Sequence, residues 1–306
     1  MTTTAQPSSE LKLIVTGATG FIGSRLVASA KSKGIATLPV VRSVEKARQL
    51  GFERWLLFEE LDRRKLVEAG VDYSVLVHLV GASRDEPGCS LRDSIVKTTE
   101  RVVSVAQGAE VQRLVYMSGY GVSHDSSEVY FRSKAEAEKI VQDSGIPYII
   151  LRASYVLGPG DEITPHLLQE FQSGLVEIPG DGSYRFQPVY VEDVIDVIIR
   201  AASLEENESY SIDLLGPAIS FSTYVDLLSA RFGEHAIIRH EKFETFIRRA
   251  TLSSDPVFTT SELAILACDL VGPVTENCLG VRIRGIEETL DGWVKTIDPS
   301  LSVSEH

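Results

Sequence analysis

Three glycines at a fixed spacing carry the first chemical signal. The stretch "LKLIVTGATGFIGSRLV" sets Gly17, Gly20 and Gly23 three apart, between an apolar run and a segment of helical period. Gly17 permits a tight turn off a strand, and Gly23 lets the following helix pack close to that strand. Gly20, lacking Cβ, lets a pyrophosphate approach the backbone at the helix amino terminus, where free N–H groups and the dipole favour anions. A dinucleotide is the ligand this arrangement suits. Its choice falls to the end of the second strand, where a carboxylate would hold a ribose 2′-hydroxyl and an arginine a 2′-phosphate. That strand ends "VVRSVEKAR", with Arg42 and Ser43 and no carboxylate before Glu45, which favours NADP(H) and leaves NAD(H) possible. Asp62, just after the third apolar run, either accepts from an adenine amino group or caps the next helix. Gly81 and Ala82 end "VHLVGAS", where small residues let a cofactor ribose lie against the backbone. A second signal is Tyr130 and Lys134 in "EVYFRSKAEAEKIV", at i and i+4 and so on one helix face. A nearby ammonium lowers a phenol's pKa towards a range useful for proton transfer.

These groups need a frame, and the pattern supplies one. Short Val/Ile/Leu-rich runs, "LKLIVT", "ATLPVV", "RWLLFEE", "SVLVHLV", "RLVYMS" and "PYIILRA", alternate with helix-like stretches such as 21–33, 91–106 and 129–143. Near-continuous apolar strands separated by helices predict an α/β fold with a doubly wound parallel sheet and ligands at the carboxyl ends of its strands. The expected organisation is a leader without regular structure over 1–10, a dinucleotide-binding core over 11–160, and a smaller, mostly helical lobe over 161–306. Within that lobe, about 181–216 is expected to return to the sheet. Thr259 and Glu262 form a capping-box pattern, and "GIEETLDGWVKTI" a terminal amphipathic helix.

Composition narrows the function classes. The 306 residues carry a formal charge of −13, which argues against nucleic acid and anionic membrane as nonspecific partners. No apolar run approaches the ~20 residues of a membrane span. Cys89, Cys268 and Cys278 are odd in number and form no CxxC pair, which points to a reducing, cytoplasmic setting. The six histidines show no metal-ligand spacing, so no metal is expected. His78 lies in an apolar strand and reads as a satisfied core histidine, and Asp193 as a carboxylate at a helix start.

Taken in order, "TGATGFIGS", "VHLVGAS", "RLVYMSGYGV", "YFRSKAEAE", "PYIILRASYVLGPGD" and "FQPVYVEDV" resemble the short-chain dehydrogenase/reductases of the extended or atypical type. The tail "YSIDLLGPAISFSTYVDLL … LGVRIRGIEETL" is similar to the subgroup related to the nucleotide-binding accessory subunit of respiratory complex I. The resemblance implies a cofactor on Gly17, Thr19, Gly20 and Gly23, with backbone amides from Phe21 and Ile22 at the pyrophosphate. It implies Tyr130 as general acid/base, Lys134 as its partner and a contact to the ribose, and Ala153, Tyr155 and Val156 of "RASYV" beside the nicotinamide.

Two departures stand out. The family usually has Ser or Thr after the fifth strand, whereas "YMSGYGV" puts Gly119 there in its most natural register, with Ser118 as the substitute oxyanion donor and Ser123 a further candidate. Members acting on sugar nucleotides tend to carry Asn where Tyr155 stands; Arg185 either holds a diphosphate or pairs with an acid. The sequence therefore predicts an NADP(H)-dependent oxidoreductase or epimerase acting on a small carbonyl or alcohol. The alternative is a dinucleotide-binding sensor or assembly subunit without turnover, and nucleotide-sugar epimerase/dehydratase chemistry ranks behind both. The family pattern admits a homodimer or a larger complex.

Overall fold

The computed structural model describes residues 11–70, 75–81, 88–161, 163–205, 207–232, 236–253 and 258–297. The leader over 1–10 and Ala82 lie outside the described residues. Two compact units form. The first takes the chain to Arg152, then Ile195–Asp213 and Leu279–Val281; the second takes Ala153–Val194, Leu214–Cys278 and the chain from Arg282.

The chain begins β1 (Lys12–Thr16), α1 (Phe21–Ser32), β2 (Ala36–Val41), α2 (Val44–Gln49) and β3 (Leu56–Leu57), then α3 (Arg63–Glu68), β4 (Val75–His78) and α4 (Leu91–Gly108). It continues through β5 (Arg113–Gly119), α5 (Val129–Gln142) and β6 (Tyr148–Ala153). After β7 (Val156–Leu157), α6 (Thr164–Ser173), β8 (Leu175–Pro179), β9 (Arg185–Phe186) and β10 (Val189–Tyr190) come α7 (Val191–Ala202) and β11 (Tyr210–Leu214). The remainder is β12 (Ile219–Ser220), α8 (Phe221–Phe232), β13 (Ile237–Glu241), α9 (Phe243–Leu252), α10 (Thr260–Ala267), β14 (Asn277–Cys278), β15 (Val281–Arg282) and α11 (Ile286–Ile297).

Seven strands make the main sheet in the order β11-β6-β5-β4-β1-β2-β3, with β1 parallel to both β2 and β4. The chain builds outward from β1 to β3, then crosses back to β4, so the β1/β4 junction is the switch point where such sheets bind ligands. Register there pairs Thr16 with His78, and Leu79 N–H donates to Thr16 O at 3.1 Å. Every residue of β4 and β5 is buried, as strands covered on both faces require. The core beneath joins Ile14, Leu76, Ile95, Val102, Leu114 and Ile150. The expected third strand "RWLLFEE" shortens to Leu56–Leu57, because Phe58–Glu60 turns as a 3-10 helix and leaves Glu59 and Glu60 exposed at the sheet edge. Charge and brevity suit an edge.

The second unit packs around Phe171, Phe186, Phe221, Tyr224, Leu290 and Trp293. Asp161 accepts from the Ile163 and Thr164 amides at 2.9 and 2.7 Å and so starts α6, which Gly174 ends at φ 81°. The Thr259–Glu262 capping box forms in both directions at α10. Asp193, in the first turn of α7, accepts from Arg284 Nε at 2.8 Å and from the Arg284 amide at 2.9 Å. Among the described residues no helix is long and apolar enough to cross a membrane.

Candidate functional site

The glycine loop closes on itself: Gly20 N–H donates to Gly17 O at 3.0 Å. Gly17 sits at φ +74°, and a Cβ there would lie 3.0 Å from the Leu79 carbonyl carbon, so conformation and space both demand glycine. Gly23 faces the same backbone, with a Cβ falling 2.2 Å from Gly17 O. Gly20 differs. Its φ of −81° and ψ of 178° are open to any residue, and a Cβ would meet only Gly17 O, at 3.3 Å. The backbone conformation therefore does not demand glycine at 20, and the only close neighbour is that one carbonyl oxygen.

The amides that follow are uncapped by any side chain. Ser43, Asp62 and Ser90 cap α2, α3 and α4 with side-chain oxygens, whereas Gly20 gives α1 no side-chain cap and its first turn holds no acid. Half-buried Thr19, Phe21 and Ile22 line this uncapped start. Its N–H groups and dipole suit a pyrophosphate. Arg42 is exposed directly after β2, and Ser43 Oγ accepts from Lys46 N–H at 3.2 Å. Asp62 takes the second of its two readings, its Oδ1 accepting from Lys65 N–H at 2.7 Å.

Lys134 is 4% exposed, which is unusual for a lysine, and its ammonium has three neighbours. It donates to Met117 O at 3.0 Å and lies 5.1 Å from the centre of the Tyr116 ring. A Cβ at Gly81 would fall 3.0 Å from Nζ, so glycine three residues past β4 leaves room for the ammonium there. Burial lowers the Lys134 pKa to about 8, with the Glu138 carboxylate pulling the other way. Glu138 is itself buried and held by Arg152 Nε at 2.9 Å.

One turn earlier lies Tyr130, which is half-buried. Burial raises its phenol to about 12. The lowering expected from Lys134 is not seen in the protein alone, where burial of the phenol is what moves it. The Tyr130 hydroxyl rests on Gly119: a Cβ built there would stand 3.2 Å from it. Position 119 is therefore the one that faces the tyrosine. Ser118, the proposed oxyanion donor, alternates to the opposite face of β5; it is buried, and its Oγ makes no hydrogen bond.

Ala153, Tyr155 and Val156 belong to the second unit. There Tyr155 packs edge-on to Phe186 at 5.3 Å, its carbonyl accepts from Val189 N–H at 2.8 Å, and Val156 pairs with Val189. Arg185 pairs with an acid: its amide and guanidinium both bind Asp269, at 2.6 and 2.9 Å. The sequence reading missed Met117 O as the anchor of Lys134 and the partners of His78, which are Thr16 at 2.6 Å and Thr99 at 3.0 Å. No local pattern marks such contacts.

Known proteins share this fold. Residues 13–213 match the NAD dependent epimerase/dehydratase family. The "NADH dehydrogenase [ubiquinone] 1 alpha subcomplex subunit 9, mitochondrial" of Arabidopsis thaliana is 28% identical over 221 residues, 69% of this chain and 54% of that protein. The chain thus spans little more than half the length of such relatives. The 2-alkyl-3-oxoalkanoate reductase of Stenotrophomonas maltophilia is 25% identical over 207 residues, 60% of this chain and 62% of the reductase. Among solved structures, MoeE5 in complex with UDP-glucose and NAD shares the fold at a TM-score of 0.70 and 23% identity, covering 95% of this chain and 100% of that one. With the sheet order, the glycine loop and a match over residues 13–213 in agreement, the chain belongs to the NAD dependent epimerase/dehydratase family.

Proposed function

We propose that the chain is an NADP(H)-dependent oxidoreductase acting on a carbonyl or alcohol carbon of a small molecule. The observation that carries the reading is the gathering, within one unit, of an uncapped glycine-loop helix, Lys134 and Tyr130 at the carboxyl ends of β1, β4 and β5. When bound, the dinucleotide supplies or accepts the hydride. The residues at Gly17, Thr19 and Gly20, with the Phe21 and Ile22 amides, would hold its pyrophosphate, and Arg42 beside Ser43 its 2′-phosphate. Lys134 would meet ribose hydroxyls past Gly81. Tyr130 would move the proton at its hydroxyl; positive charge brought beside that phenol lowers its pKa from about 12. Sugar-nucleotide chemistry gains no support from Arg185, whose guanidinium is held by Asp269. The free thiols of Cys89, Cys268 and Cys278 fit a reducing compartment such as the cytoplasm, although the subunit 9 relatives are mitochondrial.

A second reading, a dinucleotide-binding subunit of a larger assembly, is favoured by one observation: Gly119 faces the Tyr130 hydroxyl where the family expectation is Ser or Thr. The relatives named as complex subunits point the same way. Titration with NADPH and NADH, followed by turnover on a carbonyl panel, tests both. The oxidoreductase reading expects turnover that Tyr130→Phe lowers about 100-fold or more while nucleotide affinity stays within about threefold. NADPH binding without turnover, with cellular function intact in Tyr130→Phe, selects the subunit reading. No binding of either nucleotide defeats both.

A further inference from the structure

We propose that His78 is a positioning residue that fixes the glycine loop for its ligand by clamping Thr16, the residue before Gly17, to helix α4. The inference rests on the dinucleotide reading of that loop. His78 ends β4 and is 2% exposed; its Nδ1 lies 2.6 Å from Thr16 Oγ1 and its Nε2 3.0 Å from Thr99 Oγ1. The Thr99 hydroxyl donates to Ile95 O at 2.7 Å, which leaves its oxygen to accept. Proton positions follow from this by elimination. Nε2 carries the hydrogen towards Thr99, Nδ1 accepts, and Thr16 donates its hydroxyl hydrogen to the imidazole.

The ring also stacks on Tyr116 at 5.4 Å and 28°, a contact that favours this ring plane. It stays neutral: burial, then the Lys134 ammonium, push the imidazole down to about 3, so the donor–acceptor polarity holds at any working pH. Packing alone does not call for histidine here. Its neighbours in β4, Val75, Leu76 and Val77, fill the same sheet with apolar side chains that need no partners. A buried imidazole with two threonine hydroxyls gains little stability over such a side chain, but it fixes one geometry. The geometry it fixes is the exit of β1 into Gly17, whose left-handed backbone sets where the Gly20 and α1 amides point.

Two substitutions separate the clamp from general stability. In His78→Asn, the side-chain oxygen can replace Nδ1 as acceptor for Thr16; in His78→Gln, the longer amide can replace Nε2 as donor to Thr99 and leaves Thr16 unpaired. Fluorescence titration with NADPH should show the dissociation constant of His78→Gln rising about tenfold and that of His78→Asn staying within about threefold, with similar losses of Tm. Equal affinities in the two variants, or losses that follow Tm, overturn the inference. Should either variant fail to fold, Thr16→Val against Thr16→Ser poses the same question, since only serine keeps the hydroxyl, and the same split is required. Wild-type protein that binds neither NADPH nor NADH overturns the dinucleotide reading beneath it instead.

Discussion

Gly20→Ala separates a ligand's demand from a folding demand. At φ −81° and ψ 178° alanine fits the backbone, and its Cβ would meet only Gly17 O, at 3.3 Å, a few tenths inside comfortable contact. Replacing glycine restricts the unfolded chain and stabilises by about 0.4–1 kcal/mol, which offsets much of that contact. The net change in stability is about 1 kcal/mol or less in either direction, a shift in Tm of about 2–4 °C at most. Gly23→Ala is the control, because its Cβ would stand 2.2 Å from Gly17 O and 2.8 Å from Ala18 Cα, both backbone. The loop must then part from the helix, costing about 1–3 kcal/mol or more. A pyrophosphate crossing position 20 makes the ordering of affinities different. Gly20→Ala should weaken NADPH at least about tenfold while melting close to wild type. Differential scanning fluorimetry and NADPH fluorescence titration on the same preparations give both quantities. Wild-type affinity in Gly20→Ala would remove the ligand from this loop, and a loss of Tm matching Gly23→Ala would mean the fold itself demands that glycine.

Arg42→Ala should raise the dissociation constant of NADPH about tenfold or more and leave NADH nearly unchanged; equal loss on both nucleotides would refute the 2′-phosphate assignment. Burial holds Lys134 at about 8 against an ordinary 10.5, so between these values the folded state binds fewer protons than the unfolded one. Stability should therefore gain a rising contribution as pH climbs from about 8, and Lys134→Met should lose it in urea titrations at pH 8 to 10. Above 10 the raised Tyr130 phenol works in the opposite direction, so the comparison belongs below that value. Glu138→Gln breaks the pair with Arg152, whose side chain is 32% exposed, and should cost about 1–3 kcal/mol by urea unfolding. An unchanged midpoint would show that the pair contributes nothing. In Gly119→Ser, the new side chain must displace the Tyr130 hydroxyl 3.2 Å away; a rise in turnover would mean that the missing hydroxyl limits chemistry, and no change that it does not.

What the sequence made legible is what local geometry dictates. The glycine spacing, the i, i+4 relation of Tyr130 to Lys134, and the Thr259–Glu262 cap each depend on a few bonds of one segment, and each forms as read. The facing of Gly119 towards Tyr130 was also recoverable, since strand alternation leaves only two choices for Ser118 and Gly119. Hidden from the sequence were partners chosen by register. Thr16 and His78 are 62 positions apart and meet because β1 and β4 pair at their last residues. Lys134 meets Gly81 only once α5 lies against the sheet, and burial then reverses the expected balance at the tyrosine. Asp62 shows the limit in miniature, since capping a helix and gripping an adenine ask for the same residue at the same place.

The path of the chain between its two units has a consequence for engineering and inheritance. The chain passes from one unit to the other five times, and β11, from Tyr210–Leu214, completes the sheet beside β6 only after a long excursion. A gene cut after Arg152 would encode a sheet lacking that strand, with β6 turned into a bare edge able to pair with other copies. The glycine-loop half is thus not a portable cassette. Fusion, shuffling or truncation that respects only the glycine-loop region should yield aggregates, whereas exchange of the whole interleaved stretch preserves a closed set of strand partners.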